Sequence, residues 1–335
     1  MKACVLKENK VVECEEIAMV QNFENHVLIK VKACGICSSD FNRVYRNGAY
    51  FYPIVLGHEF SGEIVECGNR VNNDLLGKKA AVFPLLPCFE CEFCLQKMYA
   101  QCKNYNYFGS RKYGAMAEYV TVPVWNIKVI PDDMDCTVAA LAEPCAVAVH
   151  TVDKIDNLNN KTVCVSGSGT IGILIGLIAK IGGAEVSFIL RNDKKLDFLK
   201  SLGFKNFVYE GTESKSFDTL IECVGANSSL ENCVKYVKSK GQIILVGNPN
   251  GDMTLEKKLY WKILRSELNV CGVWNSSYKN SETDDWDKAI DFLYKNSSIV
   301  SKLITNKFKL EDGIKAFDEM VNSDKLCIKG VFINE

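Results

Sequence analysis

The chain has 335 residues, of which 47% are hydrophobic and 24% are charged, and its formal net charge is -1. This length allows about two domains, and the near-neutral charge argues against nucleic acid or an anionic membrane as the main partner. We expect no membrane span and no secretory leader, so the 16 cysteines predict a reducing, cytoplasmic location.

The first part of the chain, up to about residue 130, reads as short strands broken by glycine, asparagine and proline. Residues 26–33 alternate apolar side chains with Lys30 and Lys32, which is the period of a half-buried strand. Further strands are predicted at residues 60–67, 79–83, 117–122 and 126–130. We therefore expect this region to be mostly β-sheet.

Two short segments of the region carry metal-ligand chemistry. Cys37 precedes Ser39 and Asp40 at a predicted strand-to-helix junction, and His58 and Glu59 follow a glycine. Neighbouring residues on a regular strand face opposite ways, but a turn at that glycine would let both approach one ion. Each segment alone is a weak signal, because a lone cysteine is usually in the core and a His–Glu pair is usually structural or at the surface.

A third segment places Glu143 in a mostly apolar stretch. Burying an unpaired carboxylate is costly, so this residue needs a cation. Together, Cys37, His58, Glu59 and Glu143 supply the mixed sulfur, nitrogen and oxygen ligands of a catalytic zinc, with room for water or substrate. The sequence does not show that the segments meet.

A cluster of four cysteines gives the strongest metal signal in the chain. Gaps of two, two and seven residues separate Cys88, Cys91, Cys94 and Cys102. Four thiolates can close a tetrahedron around one zinc ion and leave no position for substrate, so we expect this zinc to be structural. The alternative is ordinary buried thiols in a cysteine-rich chain.

The pattern changes at residue 161, where a short apolar strand is followed by Gly167, Gly169 and Gly172 and then by an almost uncharged helix. In this context the glycines are typical of a dinucleotide-binding turn. Thr170 and Ile171 begin the helix, whose N-terminus would face the phosphates. The alternative is a glycine turn in another kind of α/β protein.

Strand and helix signals keep alternating after the glycines. Six apolar strands with helices between them predict a doubly wound parallel sheet, at residues 161–166, 185–190, 206–209, 218–223, 242–246 and 268–274. Beyond residue 274 no new chemistry is evident, and we expect the tail to return to the first domain. Its predicted elements are helices at residues 285–295 and 311–322 and strands at 303–308 and 327–333.

The end of the second strand of this sheet indicates which nicotinamide cofactor fits. An NAD site expects an acid about 20 residues beyond the glycines to bind the ribose hydroxyls. This chain has Leu190 there, followed by Arg191 and, two residues later, Asp193. Arg191 would pair with a 2′-phosphate, so NADP(H) is favoured over NAD(H). Asp193 argues the other way, and the alternative for Arg191 is a solvated loop cation.

These motifs occur in the order found in the zinc-containing medium-chain dehydrogenases, and the resemblance covers essentially the whole chain. It is closest to the polyol dehydrogenases, in residues 46–62, 84–91, 108–112 and 262–268. The resemblance implies an α/β protein with an active site in the cleft between two domains, and a homodimer or homotetramer. The implied domains are a GroES-like β-rich catalytic domain (residues 1–147 and 285–335) with a structural zinc lobe (residues 88–102), and a doubly wound parallel-sheet Rossmann domain (residues 148–284).

The resemblance also implies two zinc ions per chain, one catalytic and one structural. Cys37, His58 and Glu143 would converge on the catalytic ion, with Glu59 as a direct or exchangeable ligand. The sequence departs from the family pattern in two ways. Leu190 stands where an acid is expected, and no counterpart is evident to the histidine that carries the proton to solvent in some alcohol dehydrogenases.

The expected reaction is the reversible oxidation of a secondary alcohol, in a polyol or a polyol phosphate and above all in galactitol 1-phosphate. Zinc would lower the pKa of the hydroxyl, Ser39 would take its proton, Asp40 would orient the zinc ligands, and hydride would pass to the nicotinamide. Arg46, Arg111 and Lys112 are candidates for binding a substrate phosphate. The alternative for these three is solvated surface charge.

Other interpretations remain open. A sorbitol- or threonine-dehydrogenase-like zinc enzyme fits the same motifs. A different class is a non-enzymatic protein that binds zinc and a nucleotide, for which one zinc per chain instead of about two would be typical. A zinc module for nucleic acid is disfavoured by the neutral charge and by the lack of a basic stripe around the cysteines.

Overall fold

The computed structural model describes residues 1–212, 215–280, 283–322 and 325–334. The chain divides into two compact units, Met1–Pro144 with Ser277–Glu335, and Cys145–Ser276. In the described residues the strands are β1 (Lys2–Glu8), β2 (Val11–Glu16), β3 (His26–Gly35), β4 (Ile54–Val55), β5 (Glu59–Cys67), β6 (Lys79–Val82), β7 (Leu85–Leu86), β8 (Asn106–Tyr107), β9 (Tyr119–Pro123), β10 (Ile127–Val129), β11 (Thr162–Ser166), β12 (Glu185–Leu190), β13 (Asn206–Tyr209), β14 (Phe217–Glu222), β15 (Val237–Leu245), β16 (Asn269–Gly272), β17 (Ile304–Phe308) and β18 (Lys329–Ile333). The helices are α1 (Ser38–Tyr45), α2 (Glu92–Leu95), α3 (Cys136–Ala139), α4 (Ala142–Val152), α5 (Thr170–Ile181), α6 (Leu196–Ser201), α7 (Asn227–Tyr236), α8 (Lys257–Arg265), α9 (Asp285–Lys295), α10 (Ser297–Val300) and α11 (Ile314–Asn322). None of these helices has both the length and the apolar character that a membrane crossing needs.

The first unit is built on a sheet with the order β10-β6-β5-β3-β18-β17, in which β9 also pairs with β3. Val27, Ile29 and Val31 of β3 are fully buried, as the alternation in the sequence predicts, because this face of the strand packs on the core. Strand β18, near the end of the chain, pairs with β3 on one side and β17 on the other. The tail therefore completes a sheet whose other strands all lie between residues 26 and 129.

The second unit contains a six-stranded sheet with the order β13-β12-β11-β14-β15-β16, and every pair in it is parallel. Helix α5 packs on β11 and β12 with most of its length buried, which explains why its sequence is almost uncharged. The doubly wound parallel sheet predicted from the sequence is confirmed.

Several elements differ in their bounds from the sequence prediction. Strand β15 begins at Val237, five residues before the predicted strand. The apolar stretch around Glu143, for which no element was predicted, is the start of helix α4, in which Pro144 is tolerated because it lies in the first turn. After β12 the chain forms a 3₁₀ turn, Asp193–Lys195, and becomes α-helical at Leu196. The Asn192 side chain accepts a hydrogen bond from the backbone of Lys194, which stabilises this tighter start.

Candidate functional site

Three strand ends of the first unit bring together residues that are far apart in the sequence. β3 ends at Gly35, β5 begins at Glu59 directly opposite, and β18 pairs with β3 on its other edge. Cys37 follows β3, His58 precedes β5, and Lys329 is the first residue of β18. The sheet register therefore places these side chains at one end of the sheet.

Cys37, His58 and Glu59 form one cluster of possible metal ligands. Their sulfur, nitrogen and oxygen atoms all lie within 4.8 Å of one another, and His58 and Glu59 are buried. Both side chains reach the same place because Gly57 has a φ of 95°, a left-handed backbone conformation that glycine adopts without strain. A Cβ at Gly57 would also lie 2.5 Å from Cys34 Sγ.

Glu59 makes a buried ion pair that the sequence did not predict. Lys329 Nζ lies 2.6 Å from Glu59 Oε2, and the two side chains are 4% and 2% exposed. Burial works to lower the pKa of Lys329, but Glu59 and Cys37 raise it above its ordinary value. A Cβ at Gly35 would lie 2.3 Å from Glu59 Oε2, so glycine is needed there. The signal in the sequence was a lone charge in the apolar final strand.

A second buried carboxylate, Asp40, supports the same cluster from helix α1. Its Oδ2 accepts a hydrogen bond from the backbone N–H of Cys37 at 3.0 Å, and its Oδ1 lies 3.8 Å from His58 Nδ1. Arg43 Nη1 donates to Asp40 Oδ1 at 3.1 Å and to Ser39 Oγ at 2.9 Å. Sequence reasoning missed Arg43, although spacings of three and four residues put it on the same helix face as these partners.

Glu143 lies beside the cluster but outside the set of ligand atoms within 4.8 Å. In the first turn of α4, its Oε1 accepts a hydrogen bond from the Tyr107 hydroxyl at 3.2 Å. The Tyr107 ring packs edge-on against His58, with ring centroids 5.5 Å apart. Burial raises the pKa of Glu143 to about 8, His58 works against this rise, and Glu59 and Cys37 add to it.

Acidic groups crowd this part of the unit, and the donor set fits a zinc ion. Burial raises the pKa of the Cys37 thiol to about 11; Glu59 and Asp40 add to the rise, whereas Lys329 and the Ser39 hydroxyl work against it. A divalent cation would reverse this effect, because a coordinating thiol loses its proton. Thiolate, imidazole and carboxylate are the ligands that zinc prefers, and the cluster supplies all three.

The four cysteines of the lobe form a second cluster, in which all the sulfur atoms lie within 4.8 Å of one another. The backbone N–H of Cys91 donates to Cys88 Sγ, and that of Cys88 donates to Cys102 Sγ. Hydrogen bonds from the backbone of Lys103 and Cys94 lower the pKa of Cys91 to about 6. Four sulfur atoms supported by N–H donors fit a closed zinc site.

In the second unit, the glycine turn lies between β11 and α5. Gly167 has a φ of 114°, and a Cβ at Gly172 would lie 2.0 Å from the carbonyl oxygen of Gly167. Gly169 is the N-cap of α5, whose first turn contains Thr170 and Ile171, and a Cβ at Gly169 would meet nothing within 4 Å. Open space at a helix N-terminus fits the pyrophosphate of a dinucleotide.

The loop after β12 presents basic groups next to this turn. Leu190 ends the strand and is buried, whereas Arg191 is exposed. The carboxylate of Asp193 accepts a hydrogen bond from the Tyr209 hydroxyl. Lys195, which the sequence did not single out, donates to a carbonyl of the glycine turn at 3.0 Å.

The three basic residues considered for a substrate phosphate have different surroundings. The guanidinium of Arg111 lies between the rings of Tyr50 and Tyr105, at 4.9 and 4.3 Å from their centroids. Tyr105 contacts Tyr107, so aromatic rings connect Arg111 to the ligand cluster. In contrast, Lys112 lies over Phe108, and Arg46 is exposed at the end of α1.

Comparisons with known proteins identify the family. Residues 24–132 match the alcohol dehydrogenase GroES-like domain, and residues 170–295 match the zinc-binding dehydrogenase family. Galactitol 1-phosphate 5-dehydrogenase of Escherichia coli (strain K12) is 32% identical, with 96% of this chain and 97% of the relative covered. The chain belongs to the zinc-containing medium-chain dehydrogenases. The dehydrogenase thus has the GroES-like and Rossmann domains that the sequence predicted.

Other similar proteins include D-arabitol-phosphate dehydrogenase of Enterococcus avium, which is 30% identical over 93% of this chain and 92% of the relative. L-threonine 3-dehydrogenase of Cutibacterium acnes is 31% identical over 88% of both chains. The crystal structure of galactitol-1-phosphate dehydrogenase from Escherichia coli has a TM-score of 0.92 at 31% identity, with 100% of both chains covered. A zinc-binding dehydrogenase from Sinorhizobium meliloti bound to NADP shares the fold, with a TM-score of 0.89 at 24% identity and 99% of both chains covered. The protein is an oxidoreductase acting on CH–OH donors.

Replacing Cys91 by serine should remove about one zinc per chain and lower the melting temperature by at least about 5 °C, because a hydroxyl is a much poorer zinc ligand than a thiolate. Metal analysis and thermal unfolding measure both effects. The matched control is Cys67→Ser at the end of β5, which should keep the metal. Unchanged zinc content and melting temperature in Cys91→Ser would contradict a structural zinc in the lobe.

Replacing Lys329 by methionine should destabilise the dehydrogenase by about 3 kcal/mol, because it leaves the buried Glu59 carboxylate without its cation. Denaturant unfolding with the metal content measured in parallel tests this expectation. Lys307→Met on the neighbouring strand is the control, since Lys307 is exposed. Equal stability of the two variants would show that the ion pair contributes nothing.

Proposed function

We propose that this dehydrogenase oxidises a secondary alcohol of a polyol phosphate, with galactitol 1-phosphate as the preferred substrate, and reduces the corresponding ketone in the reverse direction. The observation that carries the proposal is the convergence of Cys37, His58 and Glu59 beside Glu143. Two relatives whose names specify phosphorylated polyols, galactitol 1-phosphate and D-arabitol phosphate, support the choice of substrate class.

In this proposal Cys37, His58 and Glu143 hold the catalytic zinc, and Glu59 is an exchangeable ligand. A second, structural zinc is held by Cys88, Cys91, Cys94 and Cys102. Residues 1–147 and 285–335 act as the catalytic domain, and residues 148–284 bind the nucleotide. The catalytic zinc supplies Lewis acidity that lowers the pKa of the substrate hydroxyl.

The chain's own groups manage the proton and the geometry. Ser39 Oγ takes the proton of the hydroxyl and passes it to water or to Glu59. Asp40 fixes the backbone of Cys37 and faces His58, so it orients two of the proposed ligands. The Tyr107 ring covers one side of His58 and limits the access of water to it.

Among the three basic candidates, Arg111 is the one we propose as the main phosphate ligand. Its two tyrosine neighbours hold the planar guanidinium in place, which reduces the entropy lost when it binds an oxyanion bidentately. The aromatic contacts through Tyr105 and Tyr107 connect it to the ligand cluster, which supports this role. Lys112 and Arg46 take secondary roles.

The proposed cofactor is NADP(H). Leu190 offers no carboxylate to the ribose hydroxyls, Arg191 is exposed for pairing with a 2′-phosphate, and Asp193 is engaged by the Tyr209 hydroxyl. That hydrogen bond weakens the one argument against NADP(H), because it occupies an acceptor of the carboxylate that would otherwise bind the ribose hydroxyls. The Lys195 ammonium adds a further positive charge beside the turn.

We also infer a homodimer or homotetramer in the cytoplasm. Strand β16 lies at the edge of its sheet with Val270 exposed, and Trp261 and Leu264 of helix α8 are also exposed, which is typical of a surface that another chain covers. None of the 16 cysteines, all of which lie in the described residues, forms a disulfide, as a reducing compartment favours.

An absorbance assay at the reduced nicotinamide band tests the substrate, across polyols, polyol phosphates and L-threonine with NADP and NAD in parallel. Galactitol 1-phosphate should have a much lower KM than galactitol. Arg111→Met should raise the KM for galactitol 1-phosphate by about 10- to 100-fold, because a charged hydrogen bond is lost. The KM for galactitol should stay unchanged. Equal KM values for the two polyols in the unmodified enzyme would refute the phosphate assignment.

Replacing Arg191 by alanine should weaken NADP(H) binding by about tenfold or more, because a charge-assisted pair with the 2′-phosphate is lost. Binding of NAD(H) should change by less than about twofold, since that cofactor lacks the 2′-phosphate. Nucleotide fluorescence titration measures both dissociation constants without a substrate. The same loss for both cofactors, or for neither, would contradict the proposed preference.

A further inference from the structure

Arg43 holds two residues that follow the proposed zinc ligand Cys37. Its Nη1 lies 2.9 Å from Ser39 Oγ and 3.1 Å from Asp40 Oδ1. The Asp40 side chain is fully buried and that of Arg43 is 18% exposed. This contact therefore differs from a solvated ion pair on a helix surface, which contributes little to stability.

The hydrogen-bond donors and acceptors decide what the Ser39 hydroxyl can do. A guanidinium has five N–H donors and no acceptor, so Ser39 Oγ accepts from Arg43 and keeps its own hydrogen for another partner. The same Nη1 also donates to Asp40 Oδ1, and Asp40 Oδ2 accepts from the backbone N–H of Cys37, so the guanidinium is held by a carboxylate that is itself fixed. The Cys37 thiol lies within hydrogen-bonding reach of the hydroxyl.

We propose that Arg43 is a positioning residue for the dehydrogenase reaction, which fixes the Ser39 oxygen so that its second lone pair faces the proton of the reacting alcohol while its own hydrogen is free to leave. The inference rests on the proposed roles of Cys37 and Ser39. Without the guanidinium, the Ser39 side chain would be free to change between its staggered rotamers. The contact of Arg43 with Asp40 compensates a buried carboxylate, and zinc content and melting temperature report that separate effect.

A double-mutant cycle with Arg43→Met and Ser39→Ala tests this role. Arg43→Met should lower kcat by about 10- to 100-fold, on the order of a proton-relay contribution, and change KM by less than about threefold. In the Ser39→Ala background the same substitution should change kcat by less than about threefold. An equal loss of kcat in both backgrounds would overturn the proposal.

Folding effects are separated by controls. Arg70→Met removes an arginine from an exposed ion pair with Glu24 and should leave kcat, zinc content and melting temperature unchanged. If Arg43→Met does not fold, the same cycle is measured with Arg43→Gln and Arg43→Lys, which retain side-chain N–H donors. Non-additivity with Ser39→Ala remains the criterion, and additive losses would again overturn the proposal.

A spectrum recorded without substrate distinguishes this inference from the proposed function. In the cobalt(II)-substituted protein, the sulfur-to-cobalt band responds to hydrogen bonds at the ligand sulfur. Arg43→Met and Ser39→Ala should shift the band in the same direction, and the double variant should shift it no further. This result without turnover of any polyol phosphate would overturn the substrate assignment alone. Turnover with an unshifted band and additive losses of kcat would overturn the role of Arg43 alone.

Discussion

The candidate site depends on the balance of buried charge where the ends of β3, β5 and β18 meet. Three carboxylates and a thiol lie close together there, and burial raises the pKa of two of these groups, Glu143 and Cys37. Lys329 and Arg43 each compensate one carboxylate, through contacts of 2.6 and 3.1 Å. The acidic groups that remain, together with a buried imidazole, are the donors suited to a divalent ion. Lys329 and Arg43 thus determine which acidic groups remain available to bind a metal ion.

This arrangement of buried charges is possible because Gly35 and Gly57 have no side chain at two crowded positions of the backbone. Gly35 gives the Glu59 carboxylate the space it needs to reach Lys329. Gly57 turns the chain so that two adjacent residues approach the same point. A β-sheet alone would direct His58 and Glu59 to opposite faces, so the polar cluster is built at the point where β5 begins.

The residues around the cluster have roles in both the proposed reaction and the proposed binding of substrate. Helix α1 supplies Ser39, which takes a proton in the proposed reaction. Helix α4 supplies Glu143, which accepts a hydrogen bond from Tyr107. The tyrosines that continue outward hold Arg111 in place. A ligand with an alcohol at one end and a phosphate at the other matches this order of groups.

The sequence by itself determined the features whose physical cause is local. The cysteine spacing predicted the lobe, the glycine triplet predicted the turn between β11 and α5, and β12, β13 and α9 were predicted with the observed bounds. Such signals rest on the period of side chains along a strand or helix and on backbone conformations that favour glycine. The motifs also identified the family before the fold was known.

Only the tertiary structure showed which distant groups meet. Lys329 pairs with Glu59 across 270 residues of sequence, and no local pattern encodes the register of β18 on β3. Arg43 is close in sequence to its partners, but its importance depends on the complete burial of Asp40, which the fold decides. Glu143 was expected in an apolar stretch, and the fold adds that this stretch is a helix and that Tyr107 donates a hydrogen bond to Glu143. Buried polar groups take their partners from wherever the sheet brings them, because the cost of leaving a charge unpaired outweighs sequence distance.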